Sequence, residues 1–296
     1  MNTKKADFSQ RTNPVSGSLT TANRFADGIG KTFIIAYKEN TEQLESILKQ
    51  EGFDCQVMRQ QHRPEYKDYS PSYLCLLNHK SVWEIAKTQS KPTLIIEADF
   101  VPVIGLGKLP FPFDLDQSDV GVCWIYTCAP QLYSVTPNGY GEGFSVSTVA
   151  YIVTPKAAER LRSLEAQKRE NPGPKSYSSW DSELDNFLRQ HGLKNYIAFR
   201  NYGEHGGRPN LEHHQRGLSK VHRADVLYGK LAFTPLYLQD EANGNVKLKL
   251  ARLKARIKGL GRLLLGKFLR IPVVSRSSYP MKLISFALRR QLTFRI

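Results

Sequence analysis

Glu97 and Asp99 close the segment Pro92-Thr93-Leu94-Ile95-Ile96-Glu97-Ala98-Asp99-Phe100, two carboxylates separated by one residue. Hard oxygen ligands of this kind suit Mg²⁺ or Mn²⁺, which take one or two carboxylates together with phosphate oxygens of a substrate. The pair therefore suits a metal-bridged nucleotide diphosphate. Leu94, Ile95 and Ile96 form a continuous apolar run, which predicts a strand buried on both faces. While that strand stays extended, both carboxylates point to one side. They lie at its carboxyl end, where open α/β sheets bind their ligands.

Two other places carry chemistry. Asn201-Tyr202-Gly203-Glu204-His205-Gly206-Gly207-Arg208-Pro209-Asn210, with His213, His214, His222, Arg223 and Asp225 after it, holds four of the seven histidines. No spacing there matches a zinc motif and no cysteine is near. A polar, glycine-rich loop that brings Glu204, His205 and Arg208 to a diphosphate or an acceptor sugar fits the region better. Asp181 falls in the first turn of a helix that begins at Trp180, as a capping acid or as a general base.

These groups need a scaffold, and the chain reads as strand, helix, strand from Thr32 onward. Phe33 to Tyr37 is apolar. Asn40 or Thr41 caps a helix with Leu44, Ile47 and Leu48 at helical spacing, Gly52 ends it, and Cys55 to Met58 is a second strand. A βαβ unit and a parallel sheet follow. A helix spans 73 to 87 with His79 and Trp83 as packing residues, strands cover 120–126 and 146–153, and a charged connection runs from 165 to 178. Residues 137–144, with three glycines, are either a lid or a plain hairpin connection. Gly28-Ile29-Gly30-Lys31-Thr32 is no phosphate loop, because the first glycine is missing and the run precedes its strand.

Tyr73-Leu74-Cys75-Leu76-Leu77-Asn78-His79 with Ser81, Val82 and Trp83, followed by Ile96-Glu97-Ala98-Asp99-Phe100, resembles the family 25 glycosyltransferases, the lipopolysaccharide-biosynthesis and collagen-galactosyltransferase relatives. Ala150-Tyr151-Ile152-Val153-Thr154-Pro155 and Trp180-Asp181-Ser182-Glu183-Leu184 match later motifs of that family in the same order. The sequence departs from the pattern at Ala98, where the family has an acid, and at Asn78, where it has Ser. The resemblance implies a GT-A-like α/β fold with a mixed, mostly parallel sheet and flanking helices. It implies transfer of a hexose, galactose or glucose, from a UDP-sugar to a glycan or lipid-linked acceptor, with Mn²⁺ or Mg²⁺ on Asp99, Glu97 toward the ribose and Asp181 as base. His205 or His222 would complete the metal shell. An inactive glycan-binding or scaffold protein of the same fold is the competing reading, and Ala98 is the feature behind it.

The 296 residues carry a formal net charge of +15, and its distribution is uneven. After Glu241 there are fourteen Lys and Arg and no acid, which leaves the first 241 residues near +1. The catalytic body is thus no nucleic-acid binder. Residues 1–30 read as a mobile arm, 31–241 as the catalytic domain and 242–296 as a basic amphipathic helical tail. In the tail Val246, Leu250, Leu253, Ile257, Leu260 and Leu264 recur at steps of three and four. Such a helix lies on an anionic membrane, and no Tyr, Trp or Phe interleaves the bases between Lys247 and Lys267 for nucleic acid. Four cysteines without a C-x-x-C pair read as small buried thiols in a reducing compartment. With no apolar leader and no long apolar span, the expected location is cytoplasmic, peripheral on the inner face of the membrane.

Overall fold

The computed structural model describes residues 24–208, 222–239 and 243–292. The βαβ unit forms as the pattern predicts: β1 (Lys31–Ala36), α2 (Glu42–Gln50) after the short α1 (Phe25–Gly28), and β2 (Cys55–Arg59), with β1 and β2 parallel. Thr41 occupies the N-cap of α2, and the Asn40 side chain takes the free Glu42 N–H at 2.9 Å. Next come α3 (Pro71–Ala86), β3 (Thr93–Glu97) and the short β4 (Phe100–Pro102). Ser70 caps α3 by accepting from the Tyr73 N–H, and Pro71 stands where its missing N–H costs nothing.

The rest of the sheet is β5 (Val120–Trp124), β6 (Gln131–Val135), β7 (Gly141–Phe144), β8 (Ala150–Val153) and β9 (Lys194–Ile197), in the order β2-β1-β3-β8-β5-β9-β7-β6. The α/β class is as expected, but the balance of directions differs. Three neighbouring pairs are parallel and four antiparallel, because β8 enters reversed between β3 and β5, and β7 and β6 form a hairpin at the edge. That hairpin settles residues 137–140 as a connection between strands, with Gly139 at φ 89° in its turn.

Alternate residues of the central strands bury into two apolar clusters, one on each face. Phe33, Ile95, Trp124 and Tyr151 meet Trp83 of α3 and Leu184 of α5 (Trp180–Gln190), while Ile34, Leu94, Ile96 and Ile152 meet Leu44 and Leu48 of α2. Both faces are covered, as the apolar run at 94–96 requires. Helix α4 (Pro155–Glu170) runs six residues into the stretch read as a connection. Glu165 turns inward there and accepts from the Tyr73 hydroxyl at 2.5 Å and Lys80 Nζ at 2.7 Å, so a charged residue belongs to the packed side. Strand β8 starts at Ala150, four residues later than expected.

The C-terminal residues are not an appended tail. They form α6 (Gly244–Leu264), α7 (Ile271–Arg276) and α8 (Pro280–Gln291), broken by Gly266 at φ 63° and by prolines 272 and 280. Phe268, Leu283, Phe286 and Ala287 join the same core cluster as the sheet, so packing does not end at residue 241. Arg290, fully buried, donates to the Ala198 and Phe199 carbonyls and to Asp225 at 2.8 Å.

Candidate active site

Strand β3 ends at Glu97, and Ala98 and Asp99 form a turn into β4. Extended geometry therefore stops two residues before Asp99, earlier than the sequence suggests, yet both acids line the same groove. This groove, about 790 Å³, is also walled by Tyr37, His62, Cys75 and Arg208. The Ala98 side chain packs against the apolar cluster on the α2 face.

The partner of Asp99 comes from far along the chain. Strand β10 (Gly203–His205) pairs antiparallel with β4 and sets His205 opposite Phe100. His205 Nε2 then meets Asp99 Oδ2 at 2.9 Å. Burial pulls the imidazole pKa down, but the charge of Asp99 and its hydrogen bond outweigh this and lift it to about 8. At neutral pH the two form an ion pair. Gly207 passes against this pair: a Cβ there would stand 2.3 Å from Asp99 Oδ2 and 2.8 Å from His205 Nε2. Gly207→Ala is thus expected to push the pair apart and to weaken any ligand held by Asp99 by about tenfold or more, which a titration of the variant against the unaltered protein measures.

Glu97 is held by Thr148 and faces His79. Thr148 donates its hydroxyl to Glu97 Oε1 at 3.0 Å, and His79 Nε2 lies 3.6 Å from the same oxygen. On its other nitrogen His79 meets the Tyr151 hydroxyl at 2.9 Å, which also accepts from Trp83 Nε1 at 2.8 Å. Trp83 is buried, as a packing residue should be.

Asp181 accepts the Ser182 N–H at 2.9 Å in the first turn of α5. It also lines a second cavity of about 390 Å³ that shares Glu97, Asp99 and Arg208 with the groove and adds His205, His222 and Thr148. Burial pushes its pKa up to about 6, with the Ser182 N–H opposing and the Glu97 charge adding to the rise. A carboxyl tuned toward neutrality beside a cavity is what a general base requires. His222 contacts Cys128 Sγ through Nδ1 at 2.9 Å.

Glu204 has a different place from the one the sequence suggests. It is fully buried, and Arg252 of α6 donates to its Oε2 at 2.5 Å while the Ala224 N–H donates to Oε1 at 2.8 Å. It anchors α6 beside His205 and lines neither cavity. The reason is charge: a buried arginine needs a carboxylate, and nothing local in the sequence shows that Arg252 turns inward. His213 and His214 lie outside the described residues. The cysteines are all free, but Cys75 lines the groove and only Cys123 and Cys128 are buried. A larger cavity, about 860 Å³, sits elsewhere against Tyr133, Glu142 and Arg270 and holds neither acid of the pair.

The residues fit a divalent cation at Asp99. Its Oδ1 is buried with no hydrogen-bond partner, so an acceptor stands open next to an oriented imidazole and a second carboxylate.

No protein-family model matches the chain, and no curated protein does. Two solved structures are similar to it in layout. One is a glycosyltransferase involved in glycosylation of the major capsid protein of PBCV-1, 11% identical with a TM-score of 0.39, covering 57% of this chain and 82% of that one. The other is a mutant Drosophila β1,4-galactosyltransferase 7 in complex with manganese, UDP-Gal and xylobiose, 10% identical with a TM-score of 0.34, covering 65% of this chain and 76% of that one.

Proposed function

We propose that this protein is a glycosyltransferase that moves a hexose, galactose or glucose, from a nucleotide diphosphate donor to a glycan or lipid-linked acceptor of a surface polysaccharide or lipopolysaccharide. The observation that carries this reading is the junction of two cavities at one acid pair. A groove of about 790 Å³ and a smaller cavity with a raised-pKa carboxyl both open on Glu97 and Asp99. A transfer between two substrates needs such a shared wall.

In this scheme Asp99, with His205 behind it, holds Mn²⁺ or Mg²⁺, which when bound neutralises charge on the diphosphate leaving group. Glu97, fixed by Thr148, orients the donor ribose. Arg208 lines both cavities and suits the diphosphate oxygens. Asp181 takes the proton of the acceptor hydroxyl. Calorimetric titration of UDP into the protein with Mn²⁺, with EDTA and in Asp99→Asn tests the donor half. Binding should require the metal and fall by about 10–100-fold in the variant. An unaltered affinity in EDTA or in Asp99→Asn would sink the assignment.

Helix α6 supports a lipid-linked acceptor at an anionic surface, on the inner face of the membrane. Among the described residues no helix is long and apolar enough to cross a bilayer. The face of α6 that docks on the body carries Arg252, Ala255, Arg256 and Gly259. The apolar stripe looks outward, with Leu250 60%, Ile257 62% and Leu264 85% exposed. The usual distribution is inverted, with arginines inside and leucines in water. An outward apolar stripe on a helix rich in bases suits the headgroup plane of an anionic bilayer. Vesicles with anionic lipid should therefore bind the protein, neutral vesicles less. Replacing Leu250 and Ile257 by Ser should weaken vesicle binding by about tenfold or more, measured by co-sedimentation.

A further inference from the structure

The acid at the end of β3 is flanked by a second set of ligands that the transfer chemistry does not use. Cys75 and His79 stand one helical turn apart on α3, so both side chains project from one face toward the end of β3. Cys75 Sγ, an imidazole nitrogen of His79 and a Glu97 oxygen all lie within 4.8 Å of one another. His79 is fully buried, and its Nε2 has no hydrogen-bond partner. That atom is aimed at Glu97 Oε1 from 3.6 Å, too far for a hydrogen bond.

The separation has another natural meaning. Two nitrogen or oxygen ligands about 2.0–2.1 Å from one tetrahedral ion stand about 3.3–3.5 Å apart, and a thiolate at about 2.3 Å stands slightly farther. The remaining features of a ligand set are present as well. Tyr151 meets Nδ1 of His79 at 2.9 Å and Thr148 holds Glu97 Oε1 at 3.0 Å, so both ligands are oriented from behind. Cys75 and Glu97 line the groove, which gives an ion a path from solvent and leaves its fourth position open.

We propose that Cys75, His79 and Glu97 form a binding site for a thiophilic divalent cation of the Zn²⁺ class, separate from the hard-cation site at Asp99. A thiolate, an imidazole and one carboxylate select Zn²⁺ or Cd²⁺ over Mg²⁺. The site shares Glu97 with the donor groove. An ion held there takes that carboxylate away from a nucleotide, which makes the site inhibitory for the transfer proposed above. The ion binding itself rests only on the three ligands and not on that function.

The test uses Cd²⁺ as probe on the full chain carrying Cys55→Ser and Cys128→Ser, with millimolar Mg²⁺ present. The expected result is a thiolate-to-cadmium charge-transfer band in the ultraviolet that saturates at one equivalent and is reversed by Zn²⁺. The band should vanish in Cys75→Ser, a near-isosteric change in the groove wall whose folding is checked by circular dichroism. Glu97→Gln should weaken Cd²⁺ binding by about 10–100-fold. No band in the parent protein, a band that survives Cys75→Ser, or unchanged affinity in Glu97→Gln each overturns the proposal. UDP titration of the same samples reports on the transfer reading separately, since either result can occur with or without the cadmium band.

Discussion

If the proposed transfer is right, Asp181→Asn is expected to lower its rate by about 10²–10⁴-fold, the usual contribution of a positioned general base, while the proposed Mn²⁺-dependent UDP binding persists. Steady-state kinetics and calorimetry on the same protein separate the two. The pH profile should carry the same signature. Burial holds the Asp181 carboxyl near 6, helped by the Glu97 charge and opposed by the Ser182 N–H. The base acts as carboxylate, so kcat/KM should rise as pH increases through about 6 and then level. Loss of transfer with an unchanged profile would remove Asp181 from the role.

Stability should move the other way. A carboxyl whose pKa is higher folded than unfolded favours folding in its protonated form, so the benefit is fully present below the unfolded pKa of about 3.9 and is lost as pH rises through about 6. At neutral pH the protein holds a charge where charge is disfavoured. The Asn variant should then be more stable than the parent above pH 6, and the difference should close between pH 6 and 4. A residue kept for capping alone would not show a less active variant that is also more stable.

What the sequence discloses about this site follows distance along the chain. The apolar run of β3 and the βαβ unit are local patterns and form where the residues imply, while of the two acids only Glu97 lies on the strand. His205 reaches Asp99 across 106 residues through the β4–β10 pairing, and three-residue strands carry too little periodicity to announce themselves. Gly207 is legible as a glycine but not as the residue that makes room for that pair. The arginines of α6 mislead most. Composition assigns them to water, yet Arg252 and Arg256 are buried, and their partners Glu204 and Gln291 lie 48 and 35 residues away. The apolar stripe is visible in the periodicity, but which face meets the body is decided by buried polar partners elsewhere, Glu204 and Gln291.

The same logic makes Arg290 the residue whose loss should cost the most stability. Its guanidinium is fully buried and donates to the Ala198 carbonyl at 2.7 Å, the Phe199 carbonyl at 2.8 Å, Thr127 Oγ1 at 3.0 Å and Asp225 Oδ1 at 2.8 Å. It thus ties α8 to the end of β9, the loop after β5 and the segment that carries His222. Burial alone would raise the pKa of Asp225, but Arg290, Gln291 and the Val226 N–H outweigh it and hold the carboxyl below its ordinary range. Arg290→Met keeps much of the volume, yet it leaves that carboxylate without its nearest cation and two carbonyls without donors. The expected cost is about 3–5 kcal/mol, read as a lower urea midpoint. Arg290→Lys should recover only part of it, since an ammonium cannot reproduce the planar fork. The exposed Arg276→Met, on α7, should stay within about 0.5 kcal/mol. A group with a depressed folded pKa supplies stability above its unfolded pKa and loses it as pH falls through the folded one. Wild-type stability should therefore persist to lower pH than that of Arg290→Met, whose unpaired Asp225 takes up a proton earlier. If the C-terminal helices were an appendage, Arg290→Met and Arg276→Met would unfold alike.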